Sequence, residues 1–214
     1  MLEISGLDVS IGSVGILRGV EMQVAEGQFV GLIGRNGAGK TTLMRAIMGI
    51  LPARAGTMRF AGRSLAGVPT HGRARAGMGY MPEDRRLVPT LTVEENVLLP
   101  AWAGARADAA TRLESVYRMI PEVETFRARK GLQLSGGQQK LVALARALVS
   151  GTRLLLLDEP FEGVAPVLAR RLAEVIAGLR QAGVSIVLTE SDLSHSRDLL
   201  DTVYRIDRGQ VRAG

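Results

Sequence analysis

The spacing of apolar residues changes several times along this chain, and each change predicts a different element. Over residues 2–10 and 20–25 apolar and polar positions alternate, as in antiparallel strands with one face in a core and one in water. Residues 28–33 form a shorter, more apolar run that stops at Gly34. A helix-like stretch follows to Ile47, punctuated by Gly49 and Pro52. Residues 56–60 and 77–81 read as further short strands. The middle of the chain changes character: Thr92 and Glu95 have the spacing of a capping box, which predicts a helix start. Helical periodicity continues over 108–120 and 122–130, split by Pro121. From Ser135 strands and helices alternate again, with a helix to about 149, a strand over 154–157, a helix over about 166–181 and a strand over 184–188. A shorter helix over about 193–200 and a final strand over 203–206 complete the pattern. No repeat, low-complexity tract or long linker divides the chain. The expected organisation is therefore one domain over 1–214, an α/β core with antiparallel strands in its first third and an all-helical insertion at about 85–134.

Composition narrows this picture. With 214 residues and 46% hydrophobic content the chain can bury an ordinary core. It has no cysteine, which rules out disulfides and cysteine-ligated zinc and suits a reducing compartment. Residues 1–5 lack the charged and apolar regions of a signal peptide, and the longest apolar candidate for a membrane span, 97–105, is too short and broken by Pro100 and Gly104. The net charge of +6 comes almost wholly from dispersed arginines, since Lys40, Lys130 and Lys140 are the only lysines. With few aromatics to stack on bases, no nucleic-acid partner is expected.

The chemistry starts at Gly34-Arg35-Asn36-Gly37-Ala38-Gly39-Lys40-Thr41, followed by Thr42. This is a complete phosphate-binding loop, placed between an apolar strand and a helix. Its glycines let backbone N–H groups turn inward towards a polyphosphate, and the helix adds the positive end of its dipole. Lys40 reaches phosphate oxygens and the Thr41 hydroxyl can ligate Mg²⁺. A second signal is four leucines, 154–157, ending in Asp158 and Glu159. This reads as a buried parallel strand presenting two carboxylates at its carboxyl end. Asp158 is expected to hold Mg²⁺ and Glu159, pointing the other way along the pleat, to activate a water.

The third signal is Leu134-Ser135-Gly136-Gly137-Gln138 at a predicted helix start. Ser135 and Gln138 form a capping box, but two glycines weaken a helix N-terminus unless something must approach its backbone. With this segment the chain resembles the ATP-binding cassette (ABC) family, over nearly its whole length and with the motifs in the family's order. The resemblance implies a P-loop NTPase core with a mixed, mainly parallel sheet flanked by helices, an antiparallel β subdomain and an inserted helical subdomain. It also implies ATP hydrolysis in a two-subunit site, where the loop of one subunit binds ATP and Ser135, Gly136, Gly137 and Gln138 of the other close over it.

Four positions depart from that pattern. Ile11 stands where an adenine-stacking aromatic is usual, and Glu83 where a glutamine links nucleotide to transporter and could ligate the metal. Residues 161–166, Phe-Glu-Gly-Val-Ala-Pro, replace a commoner Ser-x-Leu-Asp. Ser191 replaces the switch histidine, and His195 reads as a helix-surface residue. The Pro82-Glu83-x-Arg85-Arg86 loop and the Gly163-x-Ala165-Pro166 segment resemble the LivF-type ATPases of branched-chain amino acid importers. That resemblance implies membrane permease subunits, a second ATPase subunit, identical or different, and an extracytoplasmic solute-binding protein served indirectly. The chain would lie in the cytoplasm against the inner face of the membrane, with permeases docking near Arg85 and Arg86. The alternatives are a non-transport ABC ATPase and a nucleotide-binding regulatory subunit with little hydrolysis.

Overall fold

A computed structural model of the chain describes residues 1–104 and 107–214. Three strands without an exposed residue form its centre: β3 (Phe29–Ile33), β7 (Leu154–Asp158) and β8 (Ser185–Glu190). Apolar runs of this kind bury both faces, so they belong to a parallel sheet covered by helices on either side. The sheet has six strands in the order β10-β9-β3-β8-β7-β6, with β6 at Met78–Met81, β9 at Thr202–Asp207 and β10 at Gln210–Ala213. All its pairings are parallel except β9 with β10. The register sets Ile33 beside Glu190 and Asp158 beside Thr189. The segments that leave β3, β7 and β8 therefore emerge side by side at one edge.

The alternating strands form a separate antiparallel sheet, β2-β1-β4-β5, from β1 (Leu2–Ile11), β2 (Val14–Val24), β4 (Ala55–Phe60) and β5 (Arg63–Ser64). Its buried face, including Leu2, Ile4, Leu7, Val9 and Met22, shares a core with Leu43, Met44 and Ile47 of helix α1 (Lys40–Ile47) and with Leu154 and Leu156 of β7. A second core lies on the other face of the parallel sheet. It joins Leu155 and Leu157 to helices α3 (Val93–Ala103), α4 (Ala109–Met119), α6 (Gly136–Ser150) and α7 (Pro166–Gly178).

Within the insertion, Thr92 caps α3 as the sequence predicts. Its hydroxyl accepts from the Glu95 N–H at 3.2 Å and the Glu95 carboxylate accepts from the Thr92 N–H at 2.7 Å. Val97 and Ala101 of the apolar stretch 97–105 pack into the core, while its end at Ala105 lies outside the described residues. The helix expected over 122–130 is shorter, α5 (Pro121–Thr125). The cause is α3: its first N–H groups, those of Val93 and Glu94, take the carbonyls of Arg129 and Arg127 at 2.8 and 3.1 Å, which holds 127–129 out of helical geometry. The helix expected over 193–200 is replaced by turns and a single 3₁₀ turn, Arg197–Leu199. Asp192 accepts from the N–H and hydroxyl of Ser194, and Ser196 bonds Glu190; such short polar side chains compete with helical backbone pairing.

One buried cation fixes α1 in place. Arg73, in the short helix α2 (Thr70–Arg75), donates to the carbonyls of Ala46, Ile47, Leu65 and Val68 at 2.7–3.0 Å. It thereby serves the negative end of α1 and ties that end to the segment after β5. Replacing it by methionine would strip all four carbonyls of this charged donor, and among the described residues only those of Ala46 and Leu65 would keep a backbone N–H, from Gly49 and Val68. We expect Arg73→Met to lower stability by roughly 2–4 kcal/mol in urea denaturation. Arg73→Lys should recover only part of this loss, because one ammonium cannot reach four divergent carbonyls.

Candidate functional site

The loop between β3 and α1 is shaped by backbone geometry that side chains oppose. Gly37 and Gly39 have φ of 80° and 115°, and Gly39 begins α1 without any side-chain cap, leaving the first N–H groups of the helix free to meet a ligand. The Lys40 side chain folds back over the loop. Its ammonium donates to the Gly34 carbonyl and, at 3.2 Å, to that of Arg35, and it pairs with Glu159 Oε1 at 3.0 Å. A cleft of about 410 Å³ opens here, lined by Asn36, Gly37, Gly39, Lys40, Thr41 and Thr42 together with Ile16, Glu83 and Glu159. The Ala38 side chain turns instead into the core behind the loop.

At the end of β7, Asp158 has no exposed surface. Its Oδ1 accepts from Thr189 at 2.8 Å and Thr41 at 3.2 Å, and its Oδ2 from the Tyr80 hydroxyl at 3.1 Å. Burial first, then the Asp158 charge, push the Tyr80 phenol well above its usual range, so it remains a donor. Glu159 departs from the expectation of simple pleat alternation. The strand ends at Asp158, and Glu159 adopts φ of 49°, a left-handed conformation costing about 1–3 kcal/mol for a residue with a side chain. That turn, and not the pleat, swings its carboxylate in between Lys40 and Ser191. The Glu159 N–H donates to Thr189 Oγ1 at 3.0 Å, and its carbonyl accepts from the buried Lys140 ammonium at 2.7 Å.

The oxygens at the cleft suit a hard divalent cation. Thr41 and Asp158 are already within hydrogen-bond distance, and Glu83 stands on the rim. Burial, followed by the charges of Glu162, Asp158, Glu159 and Asp84, raises the Glu83 carboxyl, a field that a cation would relieve. Among the described residues no three acidic or histidine side chains cluster as a ready-made metal cage. Mg²⁺ does not need one, since it is commonly held by one or two carboxylates, water and substrate phosphates.

Ser191 follows β8, its hydroxyl 2.9 Å from Asn36 Oδ1 and 3.3 Å from Glu159 Oε1; its single proton serves one of them at a time. A second cleft of about 320 Å³ shares Asn36 and Glu159 with the first and is closed by Glu190, Ser191, Phe161 and His195. His195 is thus a cleft residue and not a helix-surface one, its ring 5.7 Å from that of Phe161. Ile11 is half exposed at the end of β1 and is not among the residues lining either cleft; Ile16, on the next strand, lines the first. Arg85 is turned inward as well, donating to Gln139 at 3.1 Å, while Arg86 pairs with Asp84 on the surface. Tyr80, Thr189, Lys140 and Glu190 escape sequence reasoning. The one hint was a polar residue in an otherwise apolar run, as at Tyr80 and Thr189.

Ser135, Gly136, Gly137 and Gln138 line neither cleft. They start α6 with the predicted capping box: Ser135 Oγ accepts from the Gln138 N–H at 3.3 Å and Gln138 Oε1 from the Ser135 N–H at 3.0 Å. Ser135 and Gly136 face outward. The glycines also have a packing role, for a Cβ at 137 would come within 2.5 Å of Leu168 on α7 and one at 136 within 3.3 Å of the Arg85 guanidinium.

Comparison with known proteins agrees with this geometry. The sequence model of a family described as ABC transporter matches residues 17–162. The chain is 34% identical over 211 residues to the high-affinity branched-chain amino acid transport ATP-binding protein BraG of Pseudomonas aeruginosa, covering 99% of this chain and 91% of that one. It is 32% identical over 200 residues to the lipopolysaccharide export system ATP-binding protein LptB of Escherichia coli, covering 92% and 83%. Its fold is similar to the ATP-binding cassette MJ0796, solved as a dimer in a post-hydrolysis state bound to ADP and Pi, with a TM-score of 0.89 and 25% identity over 100% of this chain and 98% of that one.

The second cleft carries a titration signature. Glu190 is buried against Ser196, and burial, opposed by that hydrogen bond and reinforced by Glu159 and Asp192, raises its carboxyl from the usual 4.5 to about 7. The folded chain thus keeps a proton that the unfolded chain has already released. Stability should fall as pH rises from about 4.5 to about 7 and level off above that. Urea midpoints across this range should decline less steeply for Glu190→Gln than for the unaltered chain, the difference isolating this group.

Proposed function

The chain belongs to the ABC transporter family and is the ATP-binding, ATP-hydrolysing subunit of a transporter; on that footing we propose that it energises import of branched-chain amino acids, other amino acids or related small polar solutes. The observation that carries this reading is the similarity to BraG, named for branched-chain amino acid transport, along 99% of the chain. The similarity to LptB, named for lipopolysaccharide export, favours a second reading as an exporter subunit, and the direction of transport separates the two.

In the proposed mechanism the triphosphate lies along Gly34, Asn36, Gly37, Ala38, Gly39, Lys40, Thr41 and Thr42, met by backbone N–H groups and the Lys40 ammonium. Ile16, and not Ile11, lies beside the cleft to pack against the base. Thr41, Asp158 and Glu83 would hold Mg²⁺, which when bound supplies positive charge against the phosphate oxygens. Lys40 is paired with Glu159 at 3.0 Å, and an entering triphosphate competes for that ammonium. Substrate binding therefore frees the carboxylate to take a water. Glu159 removes a proton as the water attacks the terminal phosphorus, and the bond to the leaving ADP oxygen breaks in line. Ser191, between Asn36 and Glu159, steers the carboxylate.

Ser135, Gly136, Gly137 and Gln138 line neither of the chain's own clefts, and Ser135 and Gly136 are exposed, which supports their closing over ATP on a second ATPase subunit. No helix among the described residues is long and apolar enough to cross a membrane. We assign that crossing to permease subunits, contacted on the cytoplasmic side through exposed Arg86, Val88 and Leu132, with a solute-binding protein acting from outside.

Reconstituted with its permeases and partner ATPase, the protein should take amino acids into proteoliposomes in an ATP-dependent way; outward movement of a lipid would overturn the import reading. In the same complex Glu159→Gln should retain ATP binding but lose about 100-fold or more of the hydrolysis assigned to this site. An unchanged rate would remove Glu159 from the role of base.

A further inference from the structure

Lysine is rarely buried without a partner charge, because an ammonium taken out of water is costly. Lys140 is 2% exposed, among the largest fully enclosed side chains of the protein. Among the described residues no carboxylate lies within ion-pair distance of it. Its one described hydrogen bond goes to the backbone carbonyl of Glu159, at 2.7 Å. A methionine or leucine would fill the same volume in the middle of α6, whose next five residues are all buried and apolar, without this cost.

The acceptor explains the choice. Glu159 holds a left-handed backbone that its side chain disfavours, so its peptide must be fixed from outside. Thr189 on β8 fixes the N–H side, through hydroxyl and carbonyl at 3.0 and 3.2 Å. On the carbonyl side two donors meet, the backbone N–H of Glu162 at 3.2 Å and, closer and from a different element, the Lys140 ammonium at 2.7 Å. Glu162 belongs to the same turn and can move with it, so without the ammonium nothing outside that turn holds the carbonyl, and the Glu159 peptide can rotate towards commoner backbone angles, drawing the carboxylate away from Lys40 and Ser191. Burial, aided by Arg85 and opposed by Glu162, Glu159 and Glu83, brings the ammonium down to about 8, and both its protonated and neutral forms carry N–H donors to the carbonyl.

We infer that Lys140 is a positioning residue for hydrolysis: from within α6 it clamps the Glu159 carbonyl and so aims the Glu159 carboxylate at the attacking water. This rests on the reading of Glu159 as the base.

The test is a double-mutant cycle in the assembled transporter, measured by single-turnover ATP hydrolysis and by ATP titration. Lys140→Met keeps the length and bulk of the side chain but removes the donor. It should lower kcat by about 10- to 100-fold while leaving the ATP Kd within about twofold, because the phosphate loop is untouched. In a Glu159→Gln background the same change should have almost no further effect, since a clamp on an absent base has nothing to aim. Lys140→Arg, which restores a donor on a long stem, should regain a large part of the rate. Equal losses in both backgrounds, or an undiminished kcat for Lys140→Met, would overturn the assignment. Glu159→Gln hydrolysing at full rate would instead strike the base itself, leaving the two failures distinguishable. Should Lys140→Met not fold by thermal melting, Lys140→Gln carries the same comparison. Its shorter amide should give an intermediate kcat, and an undiminished one would equally overturn the clamp.

Discussion

A carboxylate with no access to water, Asp158, is the constraint around which this molecule is arranged. A buried ion costs several kcal/mol unless its oxygens are satisfied. Three hydroxyls do so, from Thr41 at the start of α1, Tyr80 on β6 and Thr189 on β8. Each comes from a different element, so satisfying one charge fixes the phosphate-loop helix and two neighbouring strands relative to β7. Thr189 serves twice, holding Asp158 through its hydroxyl and the Glu159 N–H through both oxygens. The position of the second carboxylate is in this way inherited from the solvation of the first.

What the sequence made legible was chemistry tied to period and spacing. The run of four leucines reads as a fully buried strand and is one, and the glycines before Lys40 read as a turn into a helix and form it. The capping boxes at Thr92 and Ser135 are present as hydrogen bonds. What remained hidden depended on contacts distant in the chain. The end of the helix expected over 122–130 is decided by α3 demanding its carbonyls, and the loss of the one over 193–200 by serine and aspartate side chains bonding locally. A single dihedral angle at Glu159 carries no mark in the sequence at all. That Ile16 lines the first cleft and Ile11 lines neither reflects a hairpin whose two strands both offer an apolar residue. Only pairing decides which of them faces the cleft.

Helix α6 connects features that the sequence presents as separate. Its exposed first turn carries the paired glycines, against which Leu168 and Arg85 pack. One turn further Lys140 reaches Glu159, and two turns beyond that Arg146 donates to the carbonyls of Arg85 and Arg86, both left-handed. A displacement of this helix would be felt at the carboxylate and in the loop bearing Glu83 together. The glycines are thus constrained on two sides, by whatever meets the outward face and by the neighbours beneath it.

The left-handed backbone of Glu159 has a consequence for anyone redesigning this protein for heat resistance. Asparagine, aspartate and glycine accept that conformation more readily than glutamate, so a search guided by folding energy alone would single out position 159 as an improvement. With Glu159 as the proposed base, the result would be a sturdier chain that no longer turns over. Ala61 holds the same backbone sign, at φ of 48°, in the turn between β4 and β5, outside both clefts, and strain can be removed there at no cost to catalysis. Two positions with the same dihedral angle can thus be an opportunity and a trap, and only the location of the residue tells them apart.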